Sequence, residues 1–114
     1  MADTDRELLE MAAKAAGFAW GKQDDHPDRI ELYLLPLSKE NLYTPWNPLT
    51  DDGDALRLAV RLRMRVESWG SGASAVVSVD NRAFVAEPHY GDDPERATRR
   101  AIVRAAAAIG RSMP

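Results

Sequence analysis

The sequence predicts an α+β domain in which three helices pack on a mostly antiparallel sheet of four or five strands, in an α/β/α sandwich-like arrangement. Three segments carry apolar residues at helical spacing and have capping residues at their ends. Five shorter segments lie between turn residues, and three of them alternate between the two faces of a strand. The 114 residues are enough for one real core, so we expect a single domain over 1–114.

The first helix is predicted over residues 4–16. Thr4 and Glu7 have the spacing of a capping box, and Gly17 stands where a helix often ends in a left-handed residue. The apolar residues of this segment fall on one side of the helix: Leu8, Leu9, Met11, Ala12, Ala15 and Ala16. Because several of them are alanines, we expect the helix to approach its neighbour closely.

Two strands and a long connection should follow this helix. A short strand is expected to start at residues 18–20, and a better one covers 30–35, where apolar and polar residues alternate. Residues 36–49 then form a connection that carries three prolines together with Tyr43 and Trp46. A connection this long usually packs down through its own side chains or serves a function.

A central helix is predicted over residues 51–62. Thr50 offers a capping hydroxyl at its start, and Asp51 and Asp52 lie near its positive end. Its apolar residues spread over roughly 200° at about 100° per residue, which favours a helix that is covered on more than one side. We therefore expect Leu56 to be buried and Leu56→Asp to unfold much of the domain, whereas Arg57→Asp should cost little.

The last part of the sequence predicts three strands and a helix. Residues 64–69 and 74–79 alternate, residues 83–87 follow, and short turns separate the three segments, a pattern that is typical of an antiparallel meander. The last helix is predicted over 93–112, with an aspartate as its N-cap and a proline in its first position.

Composition excludes several classes of function. The net charge of −3 gives no general attraction to nucleic acid or to anionic membranes. The absence of cysteine excludes disulfides, thiolate metal sites and a cysteine nucleophile. No signal peptide or membrane-spanning segment is recognisable, so we expect a cytoplasmic protein without membrane contacts.

The sequence contains no recognisable catalytic motif. His26 and His89 each stand in a predicted loop without a triad or ligand pattern, so we expect no enzyme and no cofactor. The carboxylates of Asp51, Asp52 and Asp54 favour capping of the central helix over metal binding, because they lack the ligand spacing of a calcium loop. A small metal- or ligand-binding protein remains an alternative at this loop.

Nucleic-acid binding is a second alternative. Residues 51–113 have the α-β-β-β-α order of a double-stranded RNA-binding domain, and Arg96, Arg100 and Arg104 form a stripe on the last helix. That fold grips phosphates with basic residues at the start of its final helix. Here the same position is the acidic segment 92–95, which makes nucleic acid the less favoured partner.

Aromatic and acidic residues between 43 and 54 predict a partner-binding segment. Aromatic side chains bury much area at small entropy cost, and two prolines would hold the loop rigid. The residues proposed to bind a partner are Tyr43, Trp46, Asn47, Asp51 and Asp52. The alternative is that Trp46 anchors the long connection in the core, in which case Trp46→Ala should cost about 3–5 kcal/mol.

Residues 46–62 (WNPLTDDGDALRLAVRL) and 92–113 (DDPERATRRAIVRAAAAIGRSM) resemble the phage ABA sandwich domain family, which comprises small phage and prophage proteins. The resemblance implies a compact sheet layered with helices, and it brings no activity and no catalytic residues. The expected function is therefore that of a non-enzymatic phage or prophage accessory protein. Such a protein would contact a host or phage protein or a further copy of itself in a homo-oligomer.

Overall fold

A computed structural model describes residues 4–18, 20–22, 32–34, 44–70, 72–77, 84–88 and 93–113, with side chains for 4–18, 46–70, 87 and 93–113. Three helices are present: α1 (Asp5–Ala16), α2 (Asp52–Arg61) and α3 (Pro94–Ser112). Their bounds confirm the helices that the sequence predicts to within one residue at each end. The prediction succeeds here because helix caps are local signals.

Both ends of α1 follow the predicted capping pattern. The Thr4 Oγ1 accepts the Glu7 backbone N–H at 3.2 Å. At the other end Gly17 is left-handed, with φ of 77°. The Gly17 N–H donates to the Lys14 carbonyl at 3.1 Å and the Phe18 N–H to the Ala13 carbonyl at 2.9 Å, which together form a Schellman motif.

The core is built chiefly from α1 and α3, which pack side by side and run in the same direction. Near the start of both helices, Arg100 Nη1 lies 3.2 Å from Asp5 Oδ1. Near their ends, the Lys14 Nζ donates to the Met113 carbonyl at 3.0 Å. Because these contacts occur in the same order along both helices, the pair is parallel, although its members are far apart in the sequence.

Small residues allow α1 and α3 to approach closely. The buried core consists largely of alanines from these helices: Ala12, Ala13, Ala16, Ala101, Ala105, Ala106 and Ala107. At the tightest point a Cβ on Gly110 would lie 2.0 Å from the Met11 carbonyl oxygen. The backbones themselves are therefore in contact there, as the alanines of the first helix lead one to expect.

The orientation of α2 differs from the prediction. Its buried residues are Asp54, Ala55, Leu58 and Ala59. The expectation that Leu56 is buried is wrong, because this side chain is 64% exposed and Val60, one turn later, is 68% exposed. The apolar arc of α2 is wider than the surface that α3 and its other neighbours cover, so one apolar edge faces solvent.

The described strands form two antiparallel sheets. The first joins β1 (Trp20–Lys22), β2 (Leu32–Leu34) and β3 (Thr44–Trp46) in that order. The second joins three strands from the later part of the chain, which are β4 (Met64–Trp69), β5 (Gly72–Val77) and β6 (Phe84–Pro88). The second sheet packs against α3.

The predicted single sheet of four or five strands in an α/β/α sandwich-like arrangement is wrong. The described strands form two three-stranded sheets instead of one, and the helices supply nearly all of the buried core. The buried residues described outside the helices are Trp46 and Pro48. Within each sheet the three strands are consecutive in the sequence, and α2 lies between the two sheets along the chain. The structure also differs at β3, where the sequence predicts a connection: its central residue is proline, which sheets tolerate mainly at edges.

Candidate functional site

The carboxylates at the start of α2 bind groups of the protein itself. Asp51, and not Thr50 as predicted, caps the helix, because its Oδ2 accepts the Asp54 N–H at 2.8 Å. The buried Asp54 carboxylate accepts the Asn47 N–H and an Arg57 Nη2–H, each at 2.9 Å. These contacts give the acidic residues a structural role that extends from the preceding loop into the helix.

A third aspartate joins α2 to α3. Asp52 Oδ1 accepts from Arg99 Nη1 at 2.7 Å, and Arg99 Nε donates to the Leu49 carbonyl at 2.9 Å. Arg99 therefore holds the loop and the first turn of α2 against α3. Within the described ranges no group of three or more His, Cys, Asp or Glu side chains is arranged to hold a metal ion.

Trp46 lies in the core. Its side chain is 2% exposed and meets Phe18 edge-on, with ring centroids 5.8 Å apart and an angle of 80° between the ring planes. The Arg61 guanidinium stands over the other aromatic ring, 4.8 Å from the Phe18 centroid, and its Nε donates to the carbonyl of Ala16 at the end of α1. This geometry agrees with the core-anchor alternative, and it leaves the indole no surface to offer a partner.

The other predicted partner-binding residues are differently placed. Asn47 shapes the loop, since its Oδ1 accepts the Leu49 N–H at 3.1 Å. The side chains of Asp51 and Asp52 are 58% and 75% exposed, so their partner-binding role stays a prediction. Tyr43, like His26 and His89, lies outside the described residues.

The arginine stripe of α3 is largely engaged inside the protein. Arg100 lies 3.2 Å from Asp5 and 3.7 Å from Glu87, and Arg104 donates to the same Glu87 carboxylate. The Glu87 side chain, on β6, is only 15% exposed. Arg96 is exposed beside the acidic helix start. Two of the three arginines thus tie α3 to α1 and β6, which leaves less positive charge for phosphate groups.

Sequence reasoning missed an exposed apolar region on α2 and β4. We define the α2–β4 surface as Leu56, Val60 and Val66, which are 64%, 68% and 36% exposed. Leu56 and Val66 line the same groove, and Val60 follows Leu56 at helical spacing. The wide apolar arc of α2 was the available signal, because it exceeds what a core-facing stripe needs.

The groove beside this surface has a volume of about 430 Å³ and lies between α2, α3 and β4. Its apolar lining comes from Ala55, Leu56, Ala59, Val66, Pro94 and Ile102. Its polar lining comes from Asp52, Ser68, Glu95, Thr98 and Arg99. The size falls within the range of about 300–1,000 Å³ of small-molecule sites, and the arrangement equally accepts apolar side chains from a protein.

Strand β4 forms one wall of this groove, and one of its edges, called the free edge below, has no partner strand among the described residues. It pairs on one side with β5, in the register Met64↔Val77 to Trp69↔Gly72. In the part of the chain that the structure describes, no strand pairs with its other side. Residues 65–69 are all exposed. An exposed edge strand of this kind presents unpaired N–H and C=O groups to solvent.

Comparisons of this chain with protein-family models, with curated proteins and with solved structures each found no match. The resemblance to the phage ABA sandwich domain therefore stays a prediction from the sequence. Of the helices within the described residues, none has the length and apolar character needed to cross a membrane.

Proposed function

We propose that the protein is a non-enzymatic binding protein that recognises another protein through the α2–β4 surface. The observation that carries the proposal is the exposure of Leu56 and Val60 beside an apolar groove. Contiguous exposed apolar side chains with a polar rim are typical of protein-interaction sites. A partner that places an apolar side chain in the groove would cover Leu56 and lie about one helical turn from Val60.

The free energy of such a contact should come mainly from a few apolar side chains at its centre, which are called the anchors here. Removal of apolar surface from water contributes about 25 cal/mol per Å². The exposed charged residues Asp52 and Glu95 line the groove beside the anchors and supply the polar rim that protein interfaces usually have. The binding energy should therefore come chiefly from Leu56 and Val60, which are the most exposed large apolar side chains among the described residues.

The polar groups near the groove support binding more than catalysis. Asp52 and Arg99 bind each other, and Arg99 also binds the Leu49 carbonyl. Side chains committed to such contacts hold the groove in shape and are not poised for proton transfer or nucleophilic attack.

We further propose that the protein is an accessory protein of a bacteriophage or prophage. It would act inside the bacterial host cell on a host or phage protein. The support for this setting is the resemblance of residues 46–62 and 92–113 to the phage family.

A photo-crosslinking amino acid at position 56 tests the proposed surface. The protein is expressed in bacteria, irradiated, and its crosslinked species are identified. The matched control carries the same amino acid at Glu7, an exposed position on α1. We expect position 56 to capture a defined protein that position 7 does not. Equal crosslinking patterns from both positions would contradict the proposal.

A further inference from the structure

We infer that the free edge of β4 pairs with β4 of a second copy about a two-fold axis through Val66, which joins two sheets into one antiparallel sheet of six strands. The inference rests on the proposed function, because Val66 belongs to the α2–β4 surface. It adds the identity of one partner, which is a second copy of this chain.

The backbone of β4 is suited to this pairing. Its register with β5 occupies one side of the strand over all six residues. In an antiparallel strand, alternate residues direct their N–H and C=O groups to the opposite side. No described strand takes up those groups in β4. A strand of a second copy would satisfy them without any change in the fold.

The charges of β4 are self-complementary. Two-fold pairing through Val66 places Arg65 opposite Glu67 of the second copy, and the symmetry produces this pair twice. The two side chains lie on the same face of the strand, with Arg65 Nε 3.5 Å from Glu67 Oε1, and they are 66% and 60% exposed. Opposite charges directly across from each other stabilise an antiparallel pair.

Charge also excludes the neighbouring registers. Residues directly opposite each other in an antiparallel pair lie on the same face of the sheet. The nearest alternative registers therefore move the two-fold axis from Val66 to the next residue on either side. A two-fold axis through Arg65 would oppose two arginines, and one through Glu67 would oppose two glutamates. Both arrangements are destabilising. Charged side chains on an edge strand ordinarily prevent pairing, but here their order about Val66 favours one register.

Pairing would also bring the two α2–β4 surfaces to the same face of the joined sheet. A two-fold axis perpendicular to the sheet keeps both grooves on the same face of the joined sheet. Val66 of one copy then meets Val66 of the second copy, with Leu56 and Val60 of each copy on that face. Since stable interfaces bury at least about 1,200 Å², a short strand pair alone should give a weak dimer.

Charge exchange on β4 tests the inference by sedimentation equilibrium of the full chain, up to about 1 mM, where even a millimolar dissociation constant is detectable. The wild-type chain of 12.6 kDa should show a concentration-dependent dimer. Arg65→Glu and Glu67→Arg should each weaken it about tenfold or more, because two attractive pairs become repulsive. The double variant Arg65→Glu/Glu67→Arg should restore the dimer, since its charges are again complementary.

Position-specific oxidation provides a second measurement. The chain contains no cysteine, so Val66→Cys introduces a single thiol at the proposed two-fold axis. It should form a disulfide-linked dimer much faster than Glu7→Cys. A wild-type chain that stays monomeric, single variants that dimerise like wild type, or a folded double variant that stays monomeric would each overturn the inference. Crosslinking at position 56 to another protein would be unaffected by these outcomes, so the proposed function is tested separately.

Discussion

The closest contact in the core gives the sharpest prediction. Gly110→Ala would place a Cβ 2.0 Å from the Met11 carbonyl oxygen and 2.8 Å from the carbonyl carbon of the same residue. Both obstructing atoms belong to the backbone of α1, so no side-chain rotation relieves the overlap. Restoring an ordinary contact of about 3.4 Å requires α1 and α3 to separate by more than 1 Å, which loosens the alanine packing along both helices.

The magnitude follows from two opposing terms. Overpacking of a well-packed core costs typically about 1–3 kcal/mol, and a backbone obstruction belongs at the upper end of that range or above it. Alanine is the better helix former by about 1 kcal/mol. We expect Gly110→Ala to lower the free energy of unfolding by about 2–3 kcal/mol, measured by urea denaturation followed by circular dichroism.

A second helical glycine provides the matched control. A Cβ on Gly53 would meet the ends of flexible side chains, with Arg57 Nη2 at 3.1 Å and Asp51 Oδ2 at 3.2 Å. These groups can move by a few tenths of an ångström, so Gly53→Ala should be neutral or stabilising by up to about 1 kcal/mol. If Gly110→Ala were as stable as the wild type, the close approach of α1 and α3 would be refuted.

Three further predictions concern burial and ion pairing. Leu56→Asp should change the free energy of unfolding by no more than about 0.5 kcal/mol, because position 56 is exposed, whereas Leu58→Ala should cost about 2–5 kcal/mol; thermal melts that rank the two variants in the opposite order would contradict the orientation of α2. Trp46 should resist iodide quenching when the other two tryptophans are replaced by Phe, and Trp46→Ala should cost about 3–5 kcal/mol; an easily quenched indole would show that it is not in the core. Glu87→Gln should cost about 1–3 kcal/mol because two arginines lose their charged partner, and a variant as stable as wild type in urea denaturation would argue against these ion pairs.

The helices could be predicted from sequence because their signals lie within a few residues of one another. Thr4, Gly17 and Asp93 each mark a helix end through a contact that spans no more than five residues. The capping role of the Asp cluster is equally local. Its finer assignment failed at Thr50, since Asp51 stands one position closer to the N–H that needs a partner.

The arrangement of sheets and the exposed face of α2 could not be predicted, because both depend on what packs across long sequence separations. The apolar arc of α2, roughly 200° wide, is expected for a helix that the core covers on two sides. It is equally expected for a helix that packs on the core with one side and binds a partner with the other. Leu56 distinguishes these cases only once its neighbours are known. The burial of Glu87 between Arg100 and Arg104 is likewise invisible in the sequence, where the three residues share no motif.

The parallel packing of α1 against α3 has a consequence for how the protein folds. The two helices are joined by a contact between Asp5 and Arg100, which are 95 positions apart, and by one between Lys14 and Met113, which are 99 positions apart. Closing a loop of this length costs conformational entropy before the contacts between the helices can stabilise it. During synthesis α1 therefore emerges long before α3. The apolar side of α1 stays exposed to solvent until α3 has left the ribosome. Chain topology of this kind slows folding and exposes the nascent chain to aggregation or to chaperones during that interval.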